Sequence, residues 1–290
     1  MQLAPLAVPM IATRVASFQS FIDAHKDNCL SFCLPFIYFS IIPRVVLSTR
    51  YREARKQMKI GILNAGNVGS RLARAWATAG HDLVIAKDGE DRKIAPLLAE
   101  LGDRARLGTI REAAEFGEAV LFSVYWPRVD AIVSEVGDAL DGKTVIDTMN
   151  PLGVTAEFQH FHELEFMRDN STSEVLQQRL PKARIVKAFN LLGSPLLEAA
   201  AWSKSPVQPN VFYVSDDASA GQVTRGLIAD AGFKPINAGR LKGARQLEQA
   251  GVLLHHIAEH EYAGDAEGLV RLALSVIQAN PGPIARERIT

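Results

Sequence analysis

Six consecutive residues, Asn64-Ala65-Gly66-Asn67-Val68-Gly69, have the types and spacing to do chemistry with their backbone. They follow an apolar run, KIGIL (59–63), and precede a stretch of helical periodicity. A glycine at the second position lets a phosphate approach the main chain, and one at the sixth lets a helix pack close to the preceding strand. Gly66 and Gly69 fill those two positions, and Asn64 stands where a first glycine would make the tight turn. Asn tolerates left-handed backbone better than most residues, so the exchange is compatible with a turn. Amides at the start of the following helix then face an anion, helped by the helix dipole. An acid, Asp88, stands 19 residues after Gly69, at the end of the next apolar run, where a carboxylate accepts hydrogen bonds from an adenosine ribose. The pattern reads as the start of a dinucleotide site. Asp88 favours NAD, because a 2′-phosphate would meet a like charge. Lys87 and Arg92 beside it would neutralise such a phosphate, so NADP or NAD stays open.

Other constellations are weaker. His160 and His162 lie in a polar stretch, and His256 and His260 are i, i+4 neighbours on a helical pattern. No third ligand at matching spacing is present, so a surface or interface role is expected rather than a metal site. No Ser/His/Asp or Cys/His set and no Walker loop are found. That fits hydride transfer, which needs two rings held at short range more than it needs acid–base groups.

The elements that must position these residues follow from periodicity. Strands are predicted over 59–63, 82–86, 105–107, 119–124, 144–148, 184–189, 211–215 and 234–237. Helices are predicted over 67–79, 93–101, 111–116, 218–231 and from Ala244 to about Gln278. Thr155–Leu180 reads as an irregular segment, a loop and helix over the sheet edge. Strands alternating with helices predict an α/β fold, a Rossmann-type doubly wound, mostly parallel sheet with C-terminal helices. In open sheets of this kind ligands sit beyond the carboxyl ends of the strands. Tyr125, Asn150 and Asn190 each follow such an end, with ordinary turn residues as the competing role. Asn190, after an apolar strand, is the strongest of the three.

Formal net charge is zero, which argues against a nucleic-acid partner. The two cysteines, Cys29 and Cys33, both lie in the first 57 residues, so no disulfide framework is expected and a reducing, cytoplasmic setting is. That N-terminal stretch holds 16 uncharged residues between Asp27 and Arg44, with Pro35 inside. A spanning helix needs about 20 apolar residues, so no stable membrane span is expected. Three domains of the sequence result: 1–57, read as an extension ahead of a natural start at Met58, with a targeting or packed segment as alternatives; 58–240, a dinucleotide-binding domain; and 241–290, a helical segment packing on it.

KIGILNAGNVGSRLARAWATAGHDLVIA, LFSVYWPRV, TVIDTMNPL, RIVKAFN and GFKPINAGRLKGARQLEQAGVLL together resemble the reductases that pass hydride between NADPH and the deazaflavin coenzyme F-420. The resemblance covers about Met58 to Leu254. It implies an NAD(P)-dependent oxidoreductase whose second, small-molecule substrate is a deazaflavin or flavin-like acceptor, and a homodimer formed through C-terminal helices. It places Ala65, Gly66, Asn67 and Val68 at the pyrophosphate, and Ser123, Val124 and Tyr125 on the nicotinamide-ribose side. Asn150 and Pro151 match a turn of the site. Lys187, Ala188, Phe189 and Asn190 match a strand end bordering the hydride-transfer cleft. Arg245 and Glu248 match a pair at the start of the last helix, expected to be a structural ion pair. Relatives that bind NADP have Ser-Arg where this chain has Lys87-Asp88. Two alternatives are an imine or β-hydroxyacid reductase, which would need a larger helical domain, and a non-catalytic NAD(P)-sensing regulator.

Overall fold

Ile60 and Ile62 put their side chains on one face of a strand and Gly61 leaves the other face bare, a period of two that fits a sheet covered on both sides. The computed structural model describes residues 57–86, 94–155, 160–202, 205, 207–261 and 272–276. The chain divides at Arg55/Lys56, and all described residues belong to the second unit, Lys56–Thr290. The expectations for the first 56 residues, and for Lys87, Asp88 and Arg92, lie outside the described residues.

Among the described residues the strands are β1 (Lys59–Ile62), β2 (Asp82–Ile85), β3 (Ala105–Leu107), β4 (Ala119–Phe122), β5 (Thr144–Asp147), β6 (Leu152–Val154), β7 (His160–His162), β8 (Arg184–Ala188), β9 (Asn210–Ser215) and β10 (Lys234–Asn237). The α-helices are α1 (Asn67–Ala79), α2 (Ala95–Leu101), α3 (Ile110–Phe116), α4 (Val129–Val136), α5 (Phe166–Asp169), α6 (Thr172–Arg179), α7 (Ala218–Asp230) and α8 (Ala244–Glu261). Eight strands form one sheet in the order β10-β9-β8-β5-β4-β1-β2-β3. This is the doubly wound, mostly parallel α/β sheet that the pattern predicts.

Alternation within the strands sorts the core into two layers. Ile60, Ile62, Leu121, Ile146, Val186 and Ala188 face α1, α2 and α7, where Leu72, Trp76, Leu97 and Leu227 are buried. Val84, Val120, Phe122, Val145 and Ile185 face α3, α4 and α6, where Ala113, Ile132 and Leu176 are buried. Trp76 is fully buried and its indole N–H donates to Leu227 O at 2.9 Å, tying α1 to α7. Burying such a ring contributes about 3–5 kcal/mol relative to alanine. Gly61 allows α3 to lie directly on β1, since a Cβ there would be 2.0 Å from Ala113 O.

Three features differ from the sequence expectation. β9 runs antiparallel to β8, with Val186 opposite Ser215 and Ala188 opposite Tyr213, and β10 then follows β9 in parallel. Periodicity reports burial and not direction, so this reversal leaves no mark in the residue pattern. In and before the Thr155–Leu180 stretch, read as a loop and helix, β6 pairs antiparallel with β7, and two helices, α5 and α6, follow. Three-residue strands are too short to show alternation. Last, α8 is described over Ala244–Glu261, and Leu272–Val276, inside the range expected to be helical, is not. Leu272 and Leu274 instead pack on the cluster around Val214 and Leu254, a burial that helical spacing of apolar residues imitates.

Candidate functional site

The cleft lies beyond the carboxyl ends of β1, β4, β5 and β8. It has a volume of about 230 Å³ and is lined by Asn64, Gly66, Asn67, Val68, Ser123, Val124, Tyr125, Trp126, Thr148, Met149, Asn150, Leu152, Phe189, Asn190 and Leu192. None of these side chains carries a formal charge.

On one wall, Gly66 caps the start of α1 with extended backbone (φ −71°) and no side chain caps the helix. The first turn holds no acid, so its free N–H groups remain available to an anion. A Cβ at Gly66 would meet only Asn64 Nδ2, at 3.4 Å, so the residue is glycine for the sake of open space in front of it. Gly69 is different: a Cβ there would lie 2.2 Å from Asn64 O, and the helix could not approach the turn. Asn64 does not adopt the left-handed backbone that its position suggests. Its Nδ2 instead donates to Ser123 O at 3.2 Å, binding the turn after β1 to the loop after β4, and its buried Oδ1 has no partner. Open space, free helix amides and an unpartnered acceptor fit the pyrophosphate and ribose of a dinucleotide.

The opposite wall is built at the end of β8. Phe189 has φ 65°, the left-handed region that costs a non-glycine residue about 1–3 kcal/mol. The turn lets two consecutive side chains, Ala188 and Phe189, share the Trp76 face of the sheet. Phe189 sits edge-on between Trp76 (6.3 Å) and Phe233 (6.5 Å), and these contacts hold the strained conformation. Asn190 is thereby delivered to the cleft. Its Nδ2 donates to Asn150 Oδ1 (2.9 Å) and to Leu247 O (3.2 Å), while Asn150 Nδ2 donates to Asn190 O (2.9 Å). These acceptors fix both amide orientations and leave Asn190 Oδ1 buried without a partner. A ligand with an amide donor would satisfy it.

The hairpin β6–β7 closes the side. Leu152 lines the cleft, and Trp126 is held by Glu163 Oε2 (3.3 Å) and by the ring of Phe166 (5.0 Å). Tyr125 is 59 % exposed at the mouth. His162 of β7 meets His255 of α8 in a short Nε2···Nδ1 contact, with the rings 4.4 Å apart. Burial, then His255 and His256, push the His162 imidazole down to about 4. His256 and His260 lie one turn apart on α8 and are both exposed, as the spacing suggests, while the neighbouring His255 makes the contact. Among the described residues no group of three or more His, Cys, Asp or Glu is gathered as a metal site would require.

The structure places Asn64, Gly66, Asn67, Val68, Ser123, Val124, Tyr125, Asn150 and Asn190 in the cleft lining. Ala65 and Ala188 belong to the core instead, and Gly69 acts behind the turn. Lys187 does not border the cleft: it is 0 % exposed, on the Ile185 face of β8, behind Met149. Arg245 and Glu248 are not paired to each other. Arg245 makes a bidentate contact with Glu174 (2.8 and 2.9 Å), and Glu248 contacts Lys187 (2.7 Å). Sequence reasoning missed Trp126, Thr148, Met149 and Leu192, whose approach depends on loop paths that no spacing encodes.

Comparison with known proteins agrees with this geometry. Residues 59–151 match the family model described as NADP oxidoreductase coenzyme F420-dependent. The F420-dependent NADP reductase of Methanocaldococcus jannaschii is 26% identical over 206 residues, covering 68% of this chain and 91% of that one. The chain is similar to F420-dependent NADP reductases over this length. A crystal structure of a putative F420-dependent NADP-reductase from Arthrobacter sp. FB24 has the same fold, with a TM-score of 0.61, 23% identity, and coverage of 69% of this chain and 93% of that one. Metalloreductase STEAP3 of Rattus norvegicus is also 26% identical over 194 residues, which is 66% of this chain but 36% of that protein's length. The chain thus spans about a third of that metalloreductase's length but nearly the whole of the archaeal enzyme's.

Proposed function

We propose that the protein is an NAD(P)-dependent oxidoreductase that transfers hydride between a nicotinamide cofactor and a deazaflavin-like, flavin-like or other small acceptor. The observation that carries this reading is the uncharged cleft at the strand ends, with free α1 amides at one side and the unpartnered Asn190 Oδ1 at the other. Gly66, Asn67 and Val68 would hold the pyrophosphate, and Asn64 with Ser123 and Val124 the ribose side. Asn190 would accept a hydrogen bond from the carboxamide, and Asn150 fixes its orientation. The bound cofactor supplies the hydride. The protein's part is to position and to exclude water: Phe189, Leu192, Met149 and Leu152 surround the reacting region with apolar surface. Ring-to-ring hydride transfer needs no general acid from these walls.

The choice between NADP and NAD rests on Lys87, Asp88 and Arg92. The protein is read as cytoplasmic, with no nucleic-acid partner, in keeping with its zero formal charge. Its domain boundaries are placed at about 57 and 240, and a homodimer would form through the exposed Leu253 and Ile257 of α8, which sedimentation velocity would test. No α-helix among the described residues is long and apolar enough to cross a membrane.

The activity is tested by mixing purified protein with NADPH or NADH and a panel of deazaflavins, flavins and quinones, following loss of reduced-nicotinamide absorbance. Oxidation with at least one acceptor is expected. Tight dinucleotide binding with no turnover against any acceptor would overturn the reading in favour of a sensor.

A further inference from the structure

Behind the cleft lies a cluster of charges that no proposed step uses. Asp147 ends β5, Lys187 is in β8 and Glu248 is on α8; all three are 0 % exposed. Lys187 Nζ donates to Asp147 Oδ2 (3.0 Å), Thr172 Oγ1 (2.5 Å) and Met149 O (2.5 Å), and is ion-paired with Glu248 Oε1 at 2.7 Å. Thr172 Oγ1 also lies 2.8 Å from Asp147 Oδ2 and 2.8 Å from Glu248 Oε1, and Ser173 Oγ donates to Asp147 Oδ2 at 2.6 Å. One ammonium faces two carboxyls with no solvent. A single hydroxyl proton on Thr172 serves two carboxyl oxygens, and Glu248 Oε2 is buried with no partner at all. A lone carboxylate oxygen is expensive in such a place, and a protonated carboxyl much less so. Asp147, by contrast, has donors at both oxygens, Met149 N–H on Oδ1 (2.8 Å) and three groups on Oδ2. Burial pushes the Glu248 carboxyl up further than Lys187 pulls it down. Burial alone would push the Lys187 ammonium down, but Asp147 first, and Glu248 only while ionised, hold it above its ordinary value.

The cluster reaches the cleft by two routes. Met149 has both backbone groups held, its N–H by Asp147 and its C=O by Lys187, which fixes the Thr148–Asn150 turn. Leu247, adjacent to Glu248, takes the Asn190 amide on its carbonyl, and Gly251 one turn on lies against Asn150, where a Cβ would be 3.5 Å from Oδ1. We propose that Asp147, Lys187 and Glu248 form a positioning device for the cleft, setting α8 and the Thr148–Asn150 turn where Asn150 and Asn190 meet the nicotinamide half of the cofactor, with Glu248 serving as a neutral hydrogen-bonding group. None of the three touches the reacting atoms. The kinetic part of this inference rests on the hydride-transfer reading above.

The test compares Glu248→Gln, a neutral isostere, with the double variant Lys187→Met/Glu248→Leu, which removes the ammonium and one carboxyl and leaves Asp147 to its Met149, Thr172 and Ser173 donors. Two quantities are read: kcat with the best acceptor, and the ratio of Kd for the dinucleotide to Kd for its fragment lacking nicotinamide. Glu248→Gln should keep both within about threefold of wild type. The double variant should lose at least about tenfold in kcat, and its Kd ratio should move toward one, because a displacement near 1 Å is worth up to about 100-fold. The fragment's own Kd should not change. A folded double variant with wild-type kcat and ratio overturns the proposal, as does a Glu248→Gln variant that loses as much as the double. If the double variant does not fold, Thr172→Val, which removes the shared hydroxyl, should shift the Kd ratio in the same direction, and an unchanged ratio overturns the proposal. If wild type binds dinucleotide but reduces no acceptor, the hydride-transfer reading fails while the ratio still tests the positioning.

Discussion

Gly66 and Gly69, three positions apart along the phosphate turn, should fail in opposite ways when given a side chain. At Gly66 an added Cβ meets nothing nearer than Asn64 Nδ2 at 3.4 Å, and the backbone angles suit any residue. As a change at the N-cap of α1, Gly66→Ala should therefore cost only about 0.5–1 kcal/mol in stability. The methyl group would still stand where the pyrophosphate must approach the main chain. Dinucleotide affinity should fall at least about tenfold, about 1.4 kcal/mol, and further for Gly66→Val. At Gly69 the added Cβ would be 2.2 Å from Asn64 O and 3.3 Å from Ile62 Cγ2, too close for any ordinary contact with the backbone oxygen. Gly69→Ala should act on the fold as an overpacking change costing about 2–3 kcal/mol. For a domain of this size that lowers Tm by about 4–12 °C. Differential scanning fluorimetry reads the first quantity and titration calorimetry with NADPH and NADH the second. A Gly66→Val protein that binds both dinucleotides like wild type would refute the placement of the site, and a Gly69→Ala protein with wild-type Tm would refute the packing argument.

Asn190→Ala removes the donors to Asn150 Oδ1 and Leu247 O, and should cost about 1–3 kcal/mol in urea unfolding together with a drop in kcat; unchanged kcat would show that its Oδ1 meets no ligand. His162 is held neutral down to about 4, below its ordinary 6.5, so the folded state binds fewer protons there than the unfolded chain. Its contribution to stability is complete above about pH 6.5 and is lost progressively as pH falls toward 4. The urea midpoint of wild type should thus fall more steeply over that window than that of His162→Phe, and parallel curves would contradict this. Asp88→Ser should shift the ratio of affinities toward NADP, measured by competition between NADP and NAD, if the carboxylate meets the ribose.

The sheet was readable because its strands are short, apolar and interleaved with helices, and because Gly66, Gly69 and Gly80 punctuate the first unit at positions fixed by geometry. Gly80 ends α1 with φ 98°, where a Cβ is costly. The near wall of the cleft was legible for the same reason, since backbone chemistry needs glycine and glycine is visible in a sequence. The far wall was legible only in part. Asn190 stands after an apolar strand and could be singled out, but its partners Asn150 and Leu247 lie 40 and 57 positions away along the chain. Nor does a sequence show that Lys187 lies on the inner face: its neighbours Val186 and Ala188 are equally apolar on either reading, and its partners come from β5, α6 and α8. Asn64 kept its place in the motif but does a different job from the one its backbone tolerance suggested, because a side-chain amide can bridge to Ser123 O where a glycine could not.

The reversal of β9 decides which way the end of the chain travels. Because β9 and β10 run against the other strands, the chain leaves β10 at the side of the sheet remote from the cleft, and α8 climbs back toward the cofactor. Its successive turns meet the site in order, Leu247 at Asn190, Gly251 at Asn150 and His255 at His162. The helix behaves as a ruler laid along the cleft wall. One residue inserted in the first turn of α8, ahead of Leu247, would turn the rest of that ruler by about 100° and advance it about 1.5 Å, breaking all three contacts together. The direction of one strand thus sets three contacts of the site at once, through a single helix.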